Sequence, residues 1–181
     1  MAERRVIEYF RDSWKPDYTK FELSGWNLIN KIKETETILD IGCGYNLFKP
    51  IFEHRLYGID PANEEADEVV SIEEFESDYQ WDVLFILGSL NFGGRQEVLN
   101  QVYTSVQYLK PGGRIYWRQN PGIGDHPWKG VDEITFFPWN FAENITIANE
   151  VGCDVVDLRW DTGSRIYSEW RKNVYADTTS H

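Results

Sequence analysis

The chain has 181 residues, a formal net charge of −12, and 41% apolar and 15% aromatic residues. That is enough apolar material for one domain with a real core, and no run approaches the roughly 20 apolar residues of a membrane span. The acidic balance argues against an unaided binder of bulk nucleic acid, which presents a basic face.

The N-terminal MAERRVIEYF has no uninterrupted apolar run, so it does not read as a secretory signal, and the cytoplasm is the expected location. Val6, Ile7, Phe10 and Trp14 stand at helical spacing, with Pro16 as a stop. A second helical stretch turns Phe21, Leu28, Ile29 and Ile32 inward. Residues 37–41 read as a buried strand, followed by a glycine turn. Pro50 keeps the next helix short, or starts it. A strand over 56–59 ends at Asp60, and a short one is expected over 68–72. Eight acids and no base lie between Pro61 and Gln80, a solvated face that repels phosphates. A fully buried strand over 82–87, a helix over 96–109, the turn Lys110-Pro111-Gly112-Gly113 and a strand over 114–118 come next. A helix over 139–151 and a closing pair of strands, 154–160 and 165–171, complete the chain. Strands alternating with helices predict one layered α/β domain built on a mostly parallel sheet.

The stretch TILDIGCGYNLF carries the chemistry. Gly42 and Gly44 let the backbone turn sharply and a ligand approach closely. Asp60 closes the next strand, where a carboxylate can accept from both ribose hydroxyls. The pattern G-x-G-x-x-G would need glycine at Leu47, so the dinucleotide fingerprint fails, and no Walker loop occurs. Asp40, two residues before Gly42, would repel a pyrophosphate but attract an ammonium and a sulfonium. That favours S-adenosylmethionine over NAD. The two cysteines, Cys43 and Cys153, match no metal spacing, and no metal is expected.

From residue 37 to residue 173 the chain resembles the class I S-adenosylmethionine-dependent methyltransferases. LDIGCG is similar to their first motif, YGIDP to the second, WDVLFILGSLNF to the fourth-strand motif, and YLKPGGRIYW to the turn and strand after it. The departure is Asn46, where many such loops have a third glycine. The small size and the GYN-x-F-K continuation also resemble minimal methyltransferase-like proteins of tailed bacteriophages. The resemblance implies a seven-stranded, Rossmann-like sheet with helices on both faces and an antiparallel C-terminal strand. It places Asp40, Gly42, Cys43 and Gly44 around the methionine end of the cofactor. Asp60 takes the ribose with Pro61 beside it, Ser71 or Ile72 borders the adenine, and Leu87, Gly88 and Ser89 line the sulfonium side. Asn91 faces either cofactor or substrate. Cys43 can equally be a small core residue that contributes only its backbone.

The acceptor side should be the stretch from Asn120 to Phe141. There His126, next to Asp125, is a candidate general base, with a loop histidine of no chemical role as the plainer reading. Trp128, Phe136, Phe137 and Trp139 can wall a pocket or simply pack the loop. N-P-G at Asn120–Gly122 is not the signature of base-amine methylation. Residues 1–36 read as a helical extension or a lid in which Tyr18 or Phe21 closes the site, residues 37–173 as the core, and 174–181 as a tail. With hardly more than a core present, a small molecule or an exposed protein side chain is the expected acceptor. The rivals are a degenerate binding module that keeps the fold without catalysis, and an NAD-linked oxidoreductase. The oligomeric state is not legible.

Overall fold

The computed structural model describes residues 4–122 and 135–175. Helix α1, Arg4–Asp12, buries Val6 beside Phe10, Phe92 and Phe136. The second helical stretch is not an α-helix but two 3₁₀ turns, Tyr18–Lys20 and Trp26–Lys31. Gly25 separates them, because a Cβ there would stand 2.2 Å from the Tyr18 carbonyl oxygen. Asp17 caps the first turn by accepting from the Thr19 N–H.

Six strands form one sheet: β1 (Ile38–Ile41), β2 (Leu56–Ile59), β3 (Trp81–Leu87), β4 (Leu109–Gln119), β5 (Cys153–Asp161) and β6 (Arg165–Lys172). Their order is β2-β1-β3-β4-β6-β5. The first four are parallel, and β6 runs antiparallel to β4 and β5. The α/β, Rossmann-like class is as expected. The count of seven strands is corrected to six, and the strand that fails is the one over 68–72. Glu68 makes a single parallel bridge to Ile59, and the ladder stops. The acids of this segment explain why. The Asp67 carboxylate accepts the Gly58 N–H at 2.8 Å and pairs with Lys49, so a side chain takes a donor that a strand carbonyl would use. Val69 is then exposed, and the chain turns at Ser71, whose carbonyl accepts from Glu74 and Phe75. β4 starts earlier than expected. It takes in Lys110 to Gly113 as an insertion in the ladder, since Trp81 pairs with Leu109 but Val83 pairs with Arg114.

Alternating strand residues build two cores. Leu39, Ile41, Leu84, Ile86, Ile115 and Trp117 meet α3 (Arg95–Gln107) and α4 (Phe141–Glu150) through Val98, Val102, Ile147 and Ala148. On the other face Ile38, Val83, Phe85, Leu87 and Tyr116 meet Phe48, Phe52 of α2 (Lys49–Phe52), Tyr18 and Leu28. β1 is buried along its whole length, which is why it reads as a continuous apolar run. Alternation assigns Asp40 of β1 and Arg114 and Arg118 of β4 to this second face, and of these Arg114 pairs with Glu36. Among the described residues, no helix is long and apolar enough to cross a membrane.

Candidate active site

From β1 the chain steps to β2 on one side and to β3 on the other. In open α/β sheets the crevice beyond such a reversal receives the ligand. A cavity of about 620 Å³ lies there, lined by Gly42, Gly44, Asp60, Pro61, Ser71, Ile72, Leu87, Gly88, Ser89 and Asn91. The structure thus brings together every residue expected at the cofactor except Asp40 and Cys43. Those two are buried behind the glycine turn. Tyr18, Phe21, Trp14 and Phe10 close the cavity from the N-terminal side.

The turn is held by its own amides. The N–H groups of Gly42 and Cys43 donate to the Ile59 carbonyl at 2.8 and 3.0 Å. The Gly44 N–H donates to the Asp60 carboxylate at 2.9 Å. These three amides are therefore engaged before any ligand arrives, unlike those of a phosphate-cradling nest. Gly42 has φ +73°, and a Cβ on it would stand 2.1 Å from the Ser89 Cβ, so the turns after β1 and β3 touch through the missing side chain. A Cβ on Gly44 would stand 2.6 Å from the Trp14 ring, which lies on the turn beside Tyr45.

Asn46 resolves its own irregularity. It sits at φ +53°, in the left-handed region that asparagine tolerates better than most residues. Its amide donates to the Glu65 carbonyl at 3.1 Å. A Cβ on Gly58 would stand 2.6 Å from Asn46 Oδ1 and 2.9 Å from Cys43 Sγ, so Gly58 makes the room that both side chains occupy. Burial pushes the Cys43 thiol up, with Asp40 adding to the effect, so it stays protonated. The core-residue reading of Cys43 fits that position.

Asp60 is buried, and both its oxygens are in use. Oδ1 accepts from the Ala62 N–H, the Asn63 N–H and Asn63 Nδ2 at 2.8–3.0 Å, and Oδ2 accepts from Gly44 alone. One lone-pair direction of Oδ2 is left for a further donor. Asp40 differs. Its Oδ2 is buried with no hydrogen-bond partner, and burial, then the charge of Asp60, push its carboxyl up to about 8, against a smaller downward pull from Arg118.

Arg118, at the end of β4, lines the cavity and went unnoticed in the sequence. Its guanidinium lies 4.1 Å from the Phe21 ring centroid and 5.2 Å from that of Tyr18. The signal was available: a charged residue inside the buried run RIYWR is expensive unless used. Asp161 was also missed. Its carboxylate accepts from the Leu23 N–H at 3.0 Å and from Ser24 N and Oγ at 2.9 and 2.6 Å, clasping the N-terminal segment to the β5–β6 turn. These bonds hold its carboxyl below the usual range in spite of burial, which acts the other way and is the largest single influence.

On the acceptor side, Phe137 and Trp139 are buried core residues. Trp139 Nε1 donates to the Leu90 carbonyl, and its ring packs on Trp117. Phe136 packs against Phe92. For these three, packing replaces the pocket role. His126 and Trp128 lie outside the described residues.

The sequence matches no protein-family model and no curated protein. Solved structures do match. The 1,6-didemethyltoxoflavin-N1-methyltransferase of Burkholderia thailandensis, solved with 1,6-didemethyltoxoflavin and S-adenosylhomocysteine, is 15% identical with a TM-score of 0.72, over 93% of this chain and 85% of that one. The fold is that of the class I methyltransferases. The N-methyltransferase NodS of Bradyrhizobium japonicum, solved with S-adenosylhomocysteine, shares this methyltransferase fold at 13% identity and a TM-score of 0.65, over 93% and 97% of the two chains. Magnesium protoporphyrin IX methyltransferase of Synechocystis PCC 6803, solved with S-adenosylmethionine, does so at 10% identity and a TM-score of 0.65, over 93% and 96%.

Proposed function

We propose that this chain is an S-adenosylmethionine-dependent methyltransferase acting on a small molecule or an exposed protein side chain. The observation that carries this is the convergence, in one cavity at the sheet reversal, of the glycine turn, Asp60, Ser71 with Ile72, and Gly88 with Ser89. Similarity of fold to enzymes solved with S-adenosylmethionine or its product supports the same cofactor. Small-molecule acceptors in two of those enzymes support a small acceptor here.

The residues fit the cofactor's charges. Three glycine-turn amides bonded to protein acceptors suit a ligand without phosphates at that point. The unpartnered Asp40 carboxyl suits a cationic one. In this assignment Asp40 acts on the ammonium and sulfonium by its charge from behind the glycine turn, Asp60 accepts from the ribose, and Ser71 and Ile72 border the adenine. Leu87, Gly88 and Ser89 line the sulfonium side, and Asn91 faces the cofactor or the acceptor. Trp14, Tyr18 and Phe21 roof the cavity and keep water out. When bound, S-adenosylmethionine supplies a methyl group that transfers by direct displacement. The protein's part is to hold the nucleophile in line at near-attack distance. A degenerate module rested on Asn46 and on the lack of a clear acceptor residue. Asn46 takes the left-handed conformation of that position, which speaks against the first ground.

Calorimetric titration tests the assignment. S-adenosylmethionine and S-adenosylhomocysteine should bind and NAD should not. Asp60→Ala should weaken binding at least about tenfold, the worth of a charge-assisted hydrogen bond. Asp60 also ties both loops, so the variant's melting temperature is recorded alongside. Affinity unchanged in a folded variant, or binding of NAD alone, would refute the assignment.

A further inference from the structure

The sheet ends differently on its two sides. On β2 the outer edge is covered. The N–H groups of Asp67 and Glu68 donate to the Gly58 carbonyl, the Asp67 carboxylate accepts the Gly58 N–H, and the Asp60 N–H reaches the Glu68 carbonyl. On the opposite side β5 runs for nine residues with β6 on one flank and, among the described residues, no strand on the other. A bare edge of that length is a template for another strand.

Apolar side chains gather along it. On α4, Asn144, Ile147 and Ala148 are buried, and Glu143 and Glu150 pair with Arg95 on the α3 side. At about 100° per residue, Phe141 and Ile145 fall on the remaining flank, which overhangs β5. The Phe141 ring lies 5.7 Å from that of Trp160, and Phe141, Ile145, Val156 and Trp160 are 37–59% exposed.

The charges of β5 select what can lie there. Leu158 and Trp160 stand across from Ser168 and Ile166 on the α4 face, and Asp157 and Arg159 stand across from Glu169 and Tyr167 on the other. A bulge between Val155 and Asp157 confines the regular stretch to the second half of the strand. A second copy paired antiparallel about a two-fold axis presents the same stretch, face for face. Centred on Asp157, the axis opposes two carboxylates. Centred on Arg159, it opposes two guanidiniums. Centred on Trp160, it calls on Asp161, which is buried and committed to Leu23 and Ser24. Centred on Leu158, it sets each Asp157 against Arg159 of the other copy and leucine against leucine. Asp157 and Arg159 already lie 2.7 Å apart within the strand, so four charges then alternate across the seam.

We propose that β5 pairs with β5 of a second copy of this chain about Leu158. One sheet then runs through both copies, with the two α4 helices on the same face and Phe141, Ile145 and Trp160 covering the seam. The proposal is independent of the methyltransferase assignment.

Sedimentation equilibrium over about 1–100 µM should show the mass rising from 21.3 kDa towards twice that value. Asp157→Arg brings four guanidiniums together and should weaken the dimer at least about tenfold. Asp157→Arg combined with Arg159→Asp restores the opposite charges and should recover it. Both variants should melt with the wild type, because this is a surface pair. Amide exchange at residues 157–159 of the wild type should slow as concentration rises, a reading that needs no variant. A wild-type monomer throughout the range, a dimer that Asp157→Arg leaves intact, no recovery in the double variant, or exchange at 157–159 that ignores concentration would each overturn the proposal. The first result would leave the edge to a different partner, and the second would place the contact between copies elsewhere.

Discussion

Asp40→Asn separates what a buried charge costs the fold from what it gives the ligand. The Asp40 carboxyl is fully buried and raised from 3.8 to about 8, first by burial, next by the neighbouring charge of Asp60, with Arg118 pulling the other way. The folded state therefore binds more protons than the unfolded state between these values. The contribution of Asp40 is whole at acid pH, and stability falls as pH rises from about 4 to about 8. Each unit in that window is worth about 1.4 kcal/mol, so four units set an upper bound of about 6 kcal/mol. Asparagine has the same shape and no charge to desolvate. Urea unfolding at pH 5 and pH 8.5 should show the stability of Asp40→Asn gaining on the wild type by at least about 2 kcal/mol at the higher pH. The ligand should reverse the advantage. Binding a cation beside Asp40 must ionise it, so at pH 7 the wild type should release up to about one proton on taking up S-adenosylmethionine. Calorimetry in buffers of different ionisation enthalpy reads that number, and Asp40→Asn should release none and bind more weakly. A stability difference that does not change with pH would refute the desolvated carboxyl. Equal proton release in both proteins would refute its place beside the cation.

At residue 46 the conformation matters more than the side chain. Asn46→Gly should keep stability within about 1 kcal/mol and preserve ligand binding, whereas Asn46→Ala should lose about 1–2 kcal/mol to a left-handed backbone it does not favour. Chemical denaturation of both variants decides it, and equal losses would show that the Glu65 hydrogen bond dominates. Asp161→Ala removes acceptors from Leu23, Ser24 and Thr162. Amide exchange at residues 22–24 should quicken well ahead of β1, and cofactor affinity should fall because the roof segment that carries Phe21 is released. Unchanged exchange there would show that stacking on Arg118 alone holds the segment.

Much of the sheet was legible because its signals are local. ILDI and DVLFIL are apolar runs bounded by turn residues, and the structure makes them β1 and β3 with a residue or so of adjustment. The glycine turn and the acid after β2 were legible for the same reason, since eighteen residues and a strand pairing fix their distance. What failed was decided by side chains competing with backbone. The 68–72 strand had β-branched residues, but Asp67 spends its carboxylate on Gly58 and ends the ladder. The second helix had the right spacing, and Gly25 broke it because two backbone segments meet there. Arg118 and Asp161 were hidden for another reason. Their partners lie 94 and 137 residues away in sequence, and no short pattern encodes such a meeting.

That last separation has a consequence for how the molecule comes into being. Ser24 leaves the ribosome long before Asp161 is synthesised, and until the end of β5 emerges, its carbonyl has Arg118 to hold it while its N–H and hydroxyl have no Asp161. The growing chain can assemble β1 to β4, the glycine turn and the aromatic roof with that roof only half fastened. The clasp on the cavity is one of the last elements to be made, so a nascent chain stalled before residue 161 would carry the floor of the site under an unlatched ceiling.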